Sequence, residues 1–307
     1  MSLSPLQEGL VDLDGFAELA HYRSFGAAFL EYVEAHRPTL IHSPSDPRYR
    51  FYQYGEEYRH AITRPLNFDL WVARPGDFRA AFDRMLDALA EAERQPDGAS
   101  RYAATGEMRR VLYTAQQAVG CVADSLGNSN RARKRVGQTF ERLVLLLVQH
   151  AGLDCESRTV VLPVPGHRGQ TMKYELDLVF SRRGVVLAGE QPILPGEVVG
   201  SVKTTSKDRI DKVFLDKRML SQLLGRDVPV VAVFLHDVQR ARRAGSIFGV
   251  APTFKRGHFL GYSAALGALD GVYFVDPRPE MEADATLADR ISGIEALLLR
   301  DLWILTA

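Results

Sequence analysis

The sequence contains little cysteine, no long apolar run and no excess of either charge. Its two cysteines, Cys121 and Cys155, are too few for a disulfide framework and are better explained as buried thiols in a reducing compartment. The longest apolar run, near Leu143–Val148, is far shorter than the roughly 20 residues that span a membrane. Residues 1–14 carry acidic residues and lack the apolar stretch of a signal peptide. We therefore expect a cytoplasmic protein that does not contact membranes.

Charge is balanced over the whole chain but not along it. The 307 residues include 38 basic and 38 acidic ones, which counts mildly against a nucleic-acid-binding protein, since such proteins often carry a basic excess. Basic residues nevertheless cluster at 131–135 and 240–243, and the segment 203–218 holds six of them. Each cluster alone is equally well explained as a solvated surface. The sequence has no phosphate-binding loop and no Gly-rich dinucleotide fingerprint, so ATP-driven chemistry is unsupported.

Hydrophobic periodicity divides the chain into a mainly helical part, residues 1–125, and a mixed α/β part, residues 126–307. The first part is expected to pack on the second and is a candidate for DNA contact and dimerisation. Its predicted helices cover 14–36, 75–94 and 104–125. Loops are predicted at 42–58 and 95–100, where Pro, Gly and polar residues collect.

The second part has the predicted order helix, three strands, helix, strand. These elements cover 134–150, then 158–164, 174–180 and 198–203, then 207–224, and finally 228–235. A shorter strand is predicted at 185–187, and Ser206 is the expected N-cap of the second helix. The last strand is a β-branched run, which is typical of a buried parallel strand. The sequence therefore predicts an α/β fold.

Two charged residues interrupt apolar strands of this second part. Asp177 lies inside one strand and Lys203 ends another. A lone buried carboxylate is costly unless it is paired or binds a metal. Phosphodiester hydrolysis uses both groups, because carboxylate oxygens hold the Mg²⁺ that activates water, and a lysine orients or helps to deprotonate that water. From these two residues alone, a structural salt bridge between strands is the more common explanation.

This order of elements, with an acid on the second long strand and a lysine on the third, resembles the PD-(D/E)XK nuclease core. The usual motif has an Asp or Glu two residues before the lysine, where this sequence has Ser201. Over residues 134–235 the sequence resembles the type II restriction endonucleases that recognise CCGG, CCNGG or CCWGG, in which the second acid has migrated to the following helix. The resemblance implies a restriction-endonuclease-like αβββαβ core, in which helices flank a mixed sheet.

The resemblance implies particular metal ligands besides Asp177. Asp216 follows Lys203 after 12 intervening residues, which fits the migrated acid, although the family usually has Glu there. Glu197, at the start of the third strand, is the alternative second acid. Glu141, in a Gly-x-x-x-Glu setting on the preceding helix, would bind the metal directly or through water, and otherwise belongs to a solvated helix face.

Glu175 is a further candidate ligand, because it stands two residues before Asp177 and strand alternation places both on one face. Trp71 is expected either in the core or, as an aromatic does in some relatives, stacked on a flipped base.

The resemblance also implies a base-reading segment at the start of helix 207–224. Lys207, Asp208 and Arg209 match the family's basic–acidic–basic cluster that reads C·G pairs. Asp208 would accept from cytosine N4, and Arg209 would bind guanine O6 and N7. Lys207 would contact guanine or phosphate. The alternative is helix capping, since an Asp in the first turn complements the helix dipole.

Together these residues predict a Mg²⁺-dependent type II restriction endonuclease that cuts double-stranded DNA at a short CC/GG palindrome. The expected assembly is a homodimer, and a cognate DNA methyltransferase is expected in the host without direct contact. Two alternatives remain open. One is a repair or recombination nuclease on the same core, and the other is a non-catalytic α/β binding protein.

Overall fold

The computed structural model describes residues 2–184, 192–207, 209–243 and 245–307. The α-helices are α1 (Ser4–Val11), α2 (Leu19–His36), α3 (Pro75–Glu91), α4 (Pro96–Ala104), α5 (Glu107–Asp124), α6 (Ser129–His150), α7 (Ile210–Leu224), α8 (Arg256–Leu266), α9 (Pro279–Glu282), α10 (Ala285–Ala288), α11 (Ile294–Ala296) and α12 (Leu302–Leu305). The strands are β1 (Thr39–His42), β2 (Tyr49–Gln53), β3 (Leu66–Asn67), β4 (Leu153–Pro163), β5 (Thr171–Arg182), β6 (Val198–Thr205), β7 (Val230–His236), β8 (Val238–Arg243), β9 (Ser246–Pro252), β10 (Gly271–Asp276) and β11 (Ser292–Gly293). The strand predicted at 185–187 lies outside the described residues. None of the described helices has the length and apolarity that crossing a membrane requires.

The chain folds into two compact units that interleave along the sequence. Unit 1 comprises Met1–Ala88, Tyr102–Leu143 and Asp237–Thr253. Unit 2 comprises Leu89–Arg101, Val144–His236 and Phe254–Ala307.

Unit 1 combines helices with two small antiparallel sheets. Strand β2 pairs with both β1 and β3, and β8 pairs with β9. The loop predicted over 42–58 is therefore wrong at β2. Tyr49 and Phe51 of β2 are fully buried and pack with Val238 and Val250 of the β8–β9 hairpin. The alternating apolar residues of β2 thus pack against a segment almost 200 residues away, which local composition does not indicate.

The loop predicted at 95–100 is also wrong, because α4 begins there at Pro96. Proline is favourable in the first turn of a helix, where its missing N–H would have had no intrahelical partner. The helix predicted over 104–125 is confirmed as α5, Glu107–Asp124.

Within the described residues, unit 2 is built on a six-stranded mixed sheet in the order β11-β10-β7-β6-β5-β4. The first three strands in sequence, β4 to β6, are antiparallel, whereas β6, β7, β10 and β11 run parallel. The predicted order of helix, three strands, helix and parallel strand is confirmed by α6, β4–β6, α7 and β7. Strands β10 and β11 extend the sheet beyond the predicted core.

Helix α7 covers part of one face of this sheet. Its buried residues Val213, Phe214 and Leu220 share a core cluster with Val199 of β6 and Val230 of β7. Every residue of β7 is buried, as expected for a parallel strand that is covered on both faces. This packing fixes the helix against the end of the sheet where β5 and β6 carry their charged residues.

The start of α7 differs from the prediction. Its N-cap is Arg209, which makes no side-chain capping bond, so Ser206 as N-cap is wrong. The Ser206 carbonyl instead accepts hydrogen bonds from the backbone N–H groups of Arg209 and Ile210, at 3.3 and 3.4 Å. Ser206 thus lies ahead of the helix, and Arg209 stands at its start.

Candidate active site

The register between β5 and β6 brings two of the candidate residues opposite each other. Leu178 pairs with Gly200 in the antiparallel ladder, so the same register continued by one residue places Asp177 opposite Ser201. Gly200 leaves little room, since a Cβ added there would lie 3.2 Å from the Leu178 Cβ. The tight approach of the two strands at this point therefore favours glycine beside the site.

A β-bulge lies at Asp177 on the other side of β5. Between the pairs Glu156↔Val179 and Arg158↔Leu176, β4 advances by two residues and β5 by three. The extra residue lies in the stretch that contains Asp177. Leu176 and Val179 are three residues apart, yet both belong to the core cluster beneath α7. The regular alternation of side chains between the two faces of β5 is therefore interrupted here. Bulges redirect side chains and are frequent at active sites. Here the bulge turns Asp177 toward the α7 side.

The bulge also removes the argument that alternation places Glu175 and Asp177 on one face. Glu175 is exposed, and it lines the same recess as Asp177 for a different geometric reason, its position at the edge of the opening.

One oxygen of Asp177 receives three hydrogen bonds from β6. Asp177 Oδ2 accepts from Ser201 Oγ at 3.2 Å, from the Val202 backbone N–H at 2.9 Å, and from Lys203 Nζ in an ion pair. Both side chains of the ion pair are 21% exposed. No hydrogen bond to Asp177 Oδ1 is found among the described residues, and the residue lines the recess, so this second oxygen is a candidate metal ligand.

Helix α7 brings one face to the same place. Arg209, Lys212, Val213 and Asp216 line the recess at intervals of three and four residues, as one stripe of a helix does. Asp216 Oδ1 accepts a hydrogen bond from the Tyr174 hydroxyl of β5. The Asp216 side chain is therefore held by the sheet as well as by its own helix.

Lys212 adds positive charge next to this pair. Its Nζ lies 5.8 Å from the centre of the Tyr174 ring, within the range of a cation–π contact. Lys212 also stands one helical turn before Asp216, where a lysine and a carboxylate attract each other.

Burial raises the pKa of the Asp216 carboxyl above its ordinary value, and the negative charge of Asp177 adds to that rise. The Tyr174 hydrogen bond and the charges of Lys212 and Lys203 act in the opposite direction. The Asp177 charge therefore lies close enough to repel the Asp216 carboxylate, and a divalent cation between them would relieve that repulsion.

The recess is small and polar. It has a volume of about 30 Å³, which is enough for an ion or one to two waters. The residues that line it come from β5, β6, α7 and β7, and they are Glu175, Leu176, Asp177, Val199, Gly200, Ser201, Lys203, Arg209, Lys212, Val213, Asp216 and Val230.

The donor set suits Mg²⁺ with few protein ligands. Across the described residues no group of three or more His, Cys, Asp or Glu side chains is placed to hold a metal. Mg²⁺ is commonly held by one or two carboxylates, with water and substrate phosphate completing its shell. Asp177 and Asp216 each use one oxygen in side-chain hydrogen bonds, Oδ2 and Oδ1 respectively, and both residues line the recess, so Asp177 Oδ1 and Asp216 Oδ2 are candidate metal ligands.

Two further predicted ligands, Glu197 and Glu141, are not among the residues that line the recess. Glu197 is buried immediately before the first residue of β6. Arg158 binds both of its carboxylate oxygens, at 2.7 and 2.9 Å, and the Leu194 N–H donates to the same carboxylate at 2.6 Å. Glu141 lies on α6 in unit 1 and is half-buried, and its role at a metal stays a prediction.

The predicted DNA-reading residues are described in part. Arg209 lines the recess, Lys207 is exposed in the turn before α7, and Asp208 lies outside the described residues. Trp71, in unit 1, is only 4% exposed and stacks on Phe68 with ring centres 6.4 Å apart, which is the environment of a core residue.

Glu197 offers a test of this assignment through stability. Glu197→Ala should lower the free energy of unfolding by roughly 3 kcal/mol, since it leaves Arg158 without its buried partner. Glu156→Ala is the matched control, because Glu156 binds the same arginine from a side chain that is 59% exposed, and it should cost at most about 1 kcal/mol. Urea unfolding measures both values. A Glu197→Ala protein of parental stability that cannot cleave DNA would instead identify Glu197 as the second acid.

Two residues of the site were missed in the sequence. Tyr174 was placed on a strand and Lys212 on a helix face, with no role assigned to either. Lys212 could have been found from its i, i+4 spacing to Asp216. Tyr174 could not, because its link to Asp216 depends on how α7 lies across β5.

No protein-family model matches the chain, and no curated protein matches its sequence. Solved structures do match its fold. The crystal structure of the type IIP restriction endonuclease Kpn2I aligns with a TM-score of 0.63 at 14% identity, over 94% of this chain and 97% of that one. A complex of the restriction endonuclease PspGI with substrate DNA aligns with a TM-score of 0.42 at 14% identity, over 64% of this chain and 80% of that one. The match to Kpn2I shows that the chain has a restriction-endonuclease-like fold, in which helices flank a mixed sheet.

Proposed function

We propose that the chain is a Mg²⁺-dependent type II restriction endonuclease that cuts double-stranded DNA as a homodimer. The observation that carries the proposal is the meeting of Asp177, Lys203 and Asp216 in one recess of a restriction-endonuclease-like fold. These are the residue types that phosphodiester hydrolysis uses, and they come from β5, β6 and α7.

In this proposal Asp177 and Asp216 hold the metal ion, with Glu141 as a further ligand. When bound, Mg²⁺ polarises the scissile phosphate and lowers the pKa of a coordinated water. Lys203 orients the attacking water and takes part in its deprotonation. Tyr174 holds the Asp216 carboxylate in place through its hydroxyl.

The basic side chains of the recess have a separate task. Lys212 and Arg209 line the same opening as the two acids, so they offer charge to a phosphate that enters it. We expect Arg209, with Lys207 and Asp208, to read the C·G pairs of a CC/GG palindrome, each subunit reading one half. The chain has no net charge, whereas this rim is locally positive, so electrostatic attraction would direct DNA to the site.

Digestion of unmethylated phage DNA tests the proposal directly. The protein should give discrete fragments with Mg²⁺ and none with EDTA, and every sequenced end should lie within one short palindrome that contains CC and GG. Cleavage at junctions or flaps without a common sequence would instead identify a repair or recombination nuclease. Binding without cleavage at any Mg²⁺ concentration would favour the non-catalytic alternative, in which Asp177 and Lys203 form only a salt bridge.

A host methyltransferase belongs to the same proposal. DNA methylated within the palindrome should resist the enzyme, since a methyl group on a base edge blocks the contacts that read it.

A further inference from the structure

The β8–β9 hairpin of unit 1 carries a concentrated positive charge that the proposed active site does not use. Residues 238–252 contain three arginines, Arg240, Arg242 and Arg243, and no carboxylate. All three side chains are exposed. Within the described part of the chain none of them has an ion-pair or hydrogen-bond partner.

Exposure alone does not leave an arginine's charge available. Arg84, Arg94 and Arg300 are 58 to 69% exposed, and each pairs with a carboxylate. A protein with a net charge of zero can bind a polyanion only where its positive charge is locally unpaired. The hairpin is such a place.

The hairpin is a fixed element rather than a loose arm. Val238 and Val250 anchor its base in a core cluster with Tyr49 and Phe51, and the Val250 N–H donates to Ser45 Oγ at 2.9 Å. Farther out, the strands approach so closely that a Cβ added at Gly249 would lie 2.6 Å from the Arg243 Cβ and 2.8 Å from the Ala241 carbonyl oxygen. The arginines therefore extend from a paired hairpin, whose register shifts between Ala241 and Arg243.

The spacing of the charges suits a nucleic-acid backbone. Arg240 and Arg242 are two residues apart on one strand, which separates them by about 7 Å, while duplex DNA advances about 3.4 Å per nucleotide along each strand. A two-stranded β-ribbon also has the width that the major groove of B-DNA admits.

We propose that the β8–β9 hairpin is a DNA-docking ribbon whose three arginines contact phosphates of the duplex. The inference rests on the proposed function, because it needs duplex DNA as the ligand. It adds a binding surface in unit 1 to the candidate active site of unit 2. The ribbon contributes affinity for any sequence, whereas the residues before α7 would supply the reading of bases.

The salt dependence of binding tests the ribbon. Affinity for cognate and scrambled duplexes is measured by fluorescence anisotropy in EDTA between about 50 and 200 mM salt. Each phosphate contact contributes about 0.9 to the slope of log affinity against log salt, so Arg240→Gln/Arg242→Gln/Arg243→Gln should lower the slope by about 2–3 on both duplexes.

Two further variants isolate the cause. Arg84→Gln/Arg94→Gln/Arg300→Gln changes net charge by the same amount at paired sites and should keep the slope within about one of the parent. Arg240→Lys/Arg242→Lys/Arg243→Lys retains the ribbon's charge and should keep the slope. A thermal melt of each variant checks folding.

The outcomes separate the two proposals. If the parent cleaves DNA and the glutamine variant of the ribbon keeps the parental slope, the ribbon inference is overturned and the nuclease stands. If the glutamine variant loses affinity for single-stranded RNA but not for duplex DNA, duplex DNA is not the ligand of the ribbon and the inference is overturned. If the parent binds duplex DNA with the salt dependence expected for the ribbon but never cleaves it, the ribbon inference stands and the nuclease proposal is overturned. A parent without duplex binding overturns both.

Discussion

Asp177→Asn should reduce the rate of DNA cleavage about 1,000-fold while duplex affinity in EDTA stays equal to or exceeds that of the parent. The loss corresponds to roughly 4 kcal/mol, the scale of the stabilisation that a metal ion gives to transition-state charge. Affinity should not fall, because the substitution removes a negative charge near the phosphates. Single-turnover cleavage and anisotropy measure the two quantities.

Asparagine is preferable to alanine at this position. Asp177 Oδ2 accepts hydrogen bonds from Ser201 and from the backbone of Val202, and the amide oxygen of asparagine can keep accepting both. Alanine would leave these donors without a partner and would mix a folding defect with the chemical one.

Asp227→Asn is the matched control for this experiment. It removes the same charge from unit 2 at a side chain that is 74% exposed, and it should leave the rate of cleavage unchanged. Cleavage by Asp177→Asn within a few fold of the parent would remove Asp177 from the site. The ion pair with Lys203 would then be structural, as the strand pattern alone already allowed.

The sequence was sufficient to predict the α/β core of unit 2 but not the elements around it. The strands of β4–β7 are apolar runs whose order alone indicates the α/β architecture, and that prediction is confirmed. Strand β2 was missed because its partners Val238 and Val250 lie almost 200 residues away in the sequence. Packing at such a separation leaves no trace in a window of neighbouring residues, and the alternation of Tyr49 and Phe51 alone is too short to predict a strand.

The candidate site, too, was predicted from the sequence only in part. Asp177 and Lys203 were found because a charge inside an apolar strand is unusual, and Asp216 was found through a spacing taken from the resemblance. The bulge that turns Asp177 toward α7 comes from a mismatch between two strands, β4 and β5, so neither strand's sequence contains it. The hydrogen bond from Tyr174 to Asp216 likewise joins residues 42 positions apart.

The role of Asp216, the proposed second acid, can be tested separately from that of Asp177, because Asp216 is held by a hydrogen bond from Tyr174. Asp216→Asn should also cost about 1,000-fold in cleavage rate, because it removes one of two carboxylates that the metal needs. Tyr174→Phe should cost less, about 10–100-fold, and the loss should diminish as the Mg²⁺ concentration rises, since the hydroxyl orients the ligand without touching the metal. Asp211→Asn, on the same helix outside the recess, serves as the control.

A rescue variant tests whether Asp216 replaces the acid missing from the strand. Ser201 lines the recess and bonds to Asp177, so a glutamate there would return a carboxylate to the position that the usual motif occupies. Ser201→Glu combined with Asp216→Asn should therefore recover part of the lost rate, and it should recover Mg²⁺ affinity in parallel, which a metal titration without DNA measures. If Asp216→Asn cuts DNA at the parental rate while Glu197→Ala does not, the second acid belongs to the strand, and the migration inferred from the 12-residue spacing is wrong.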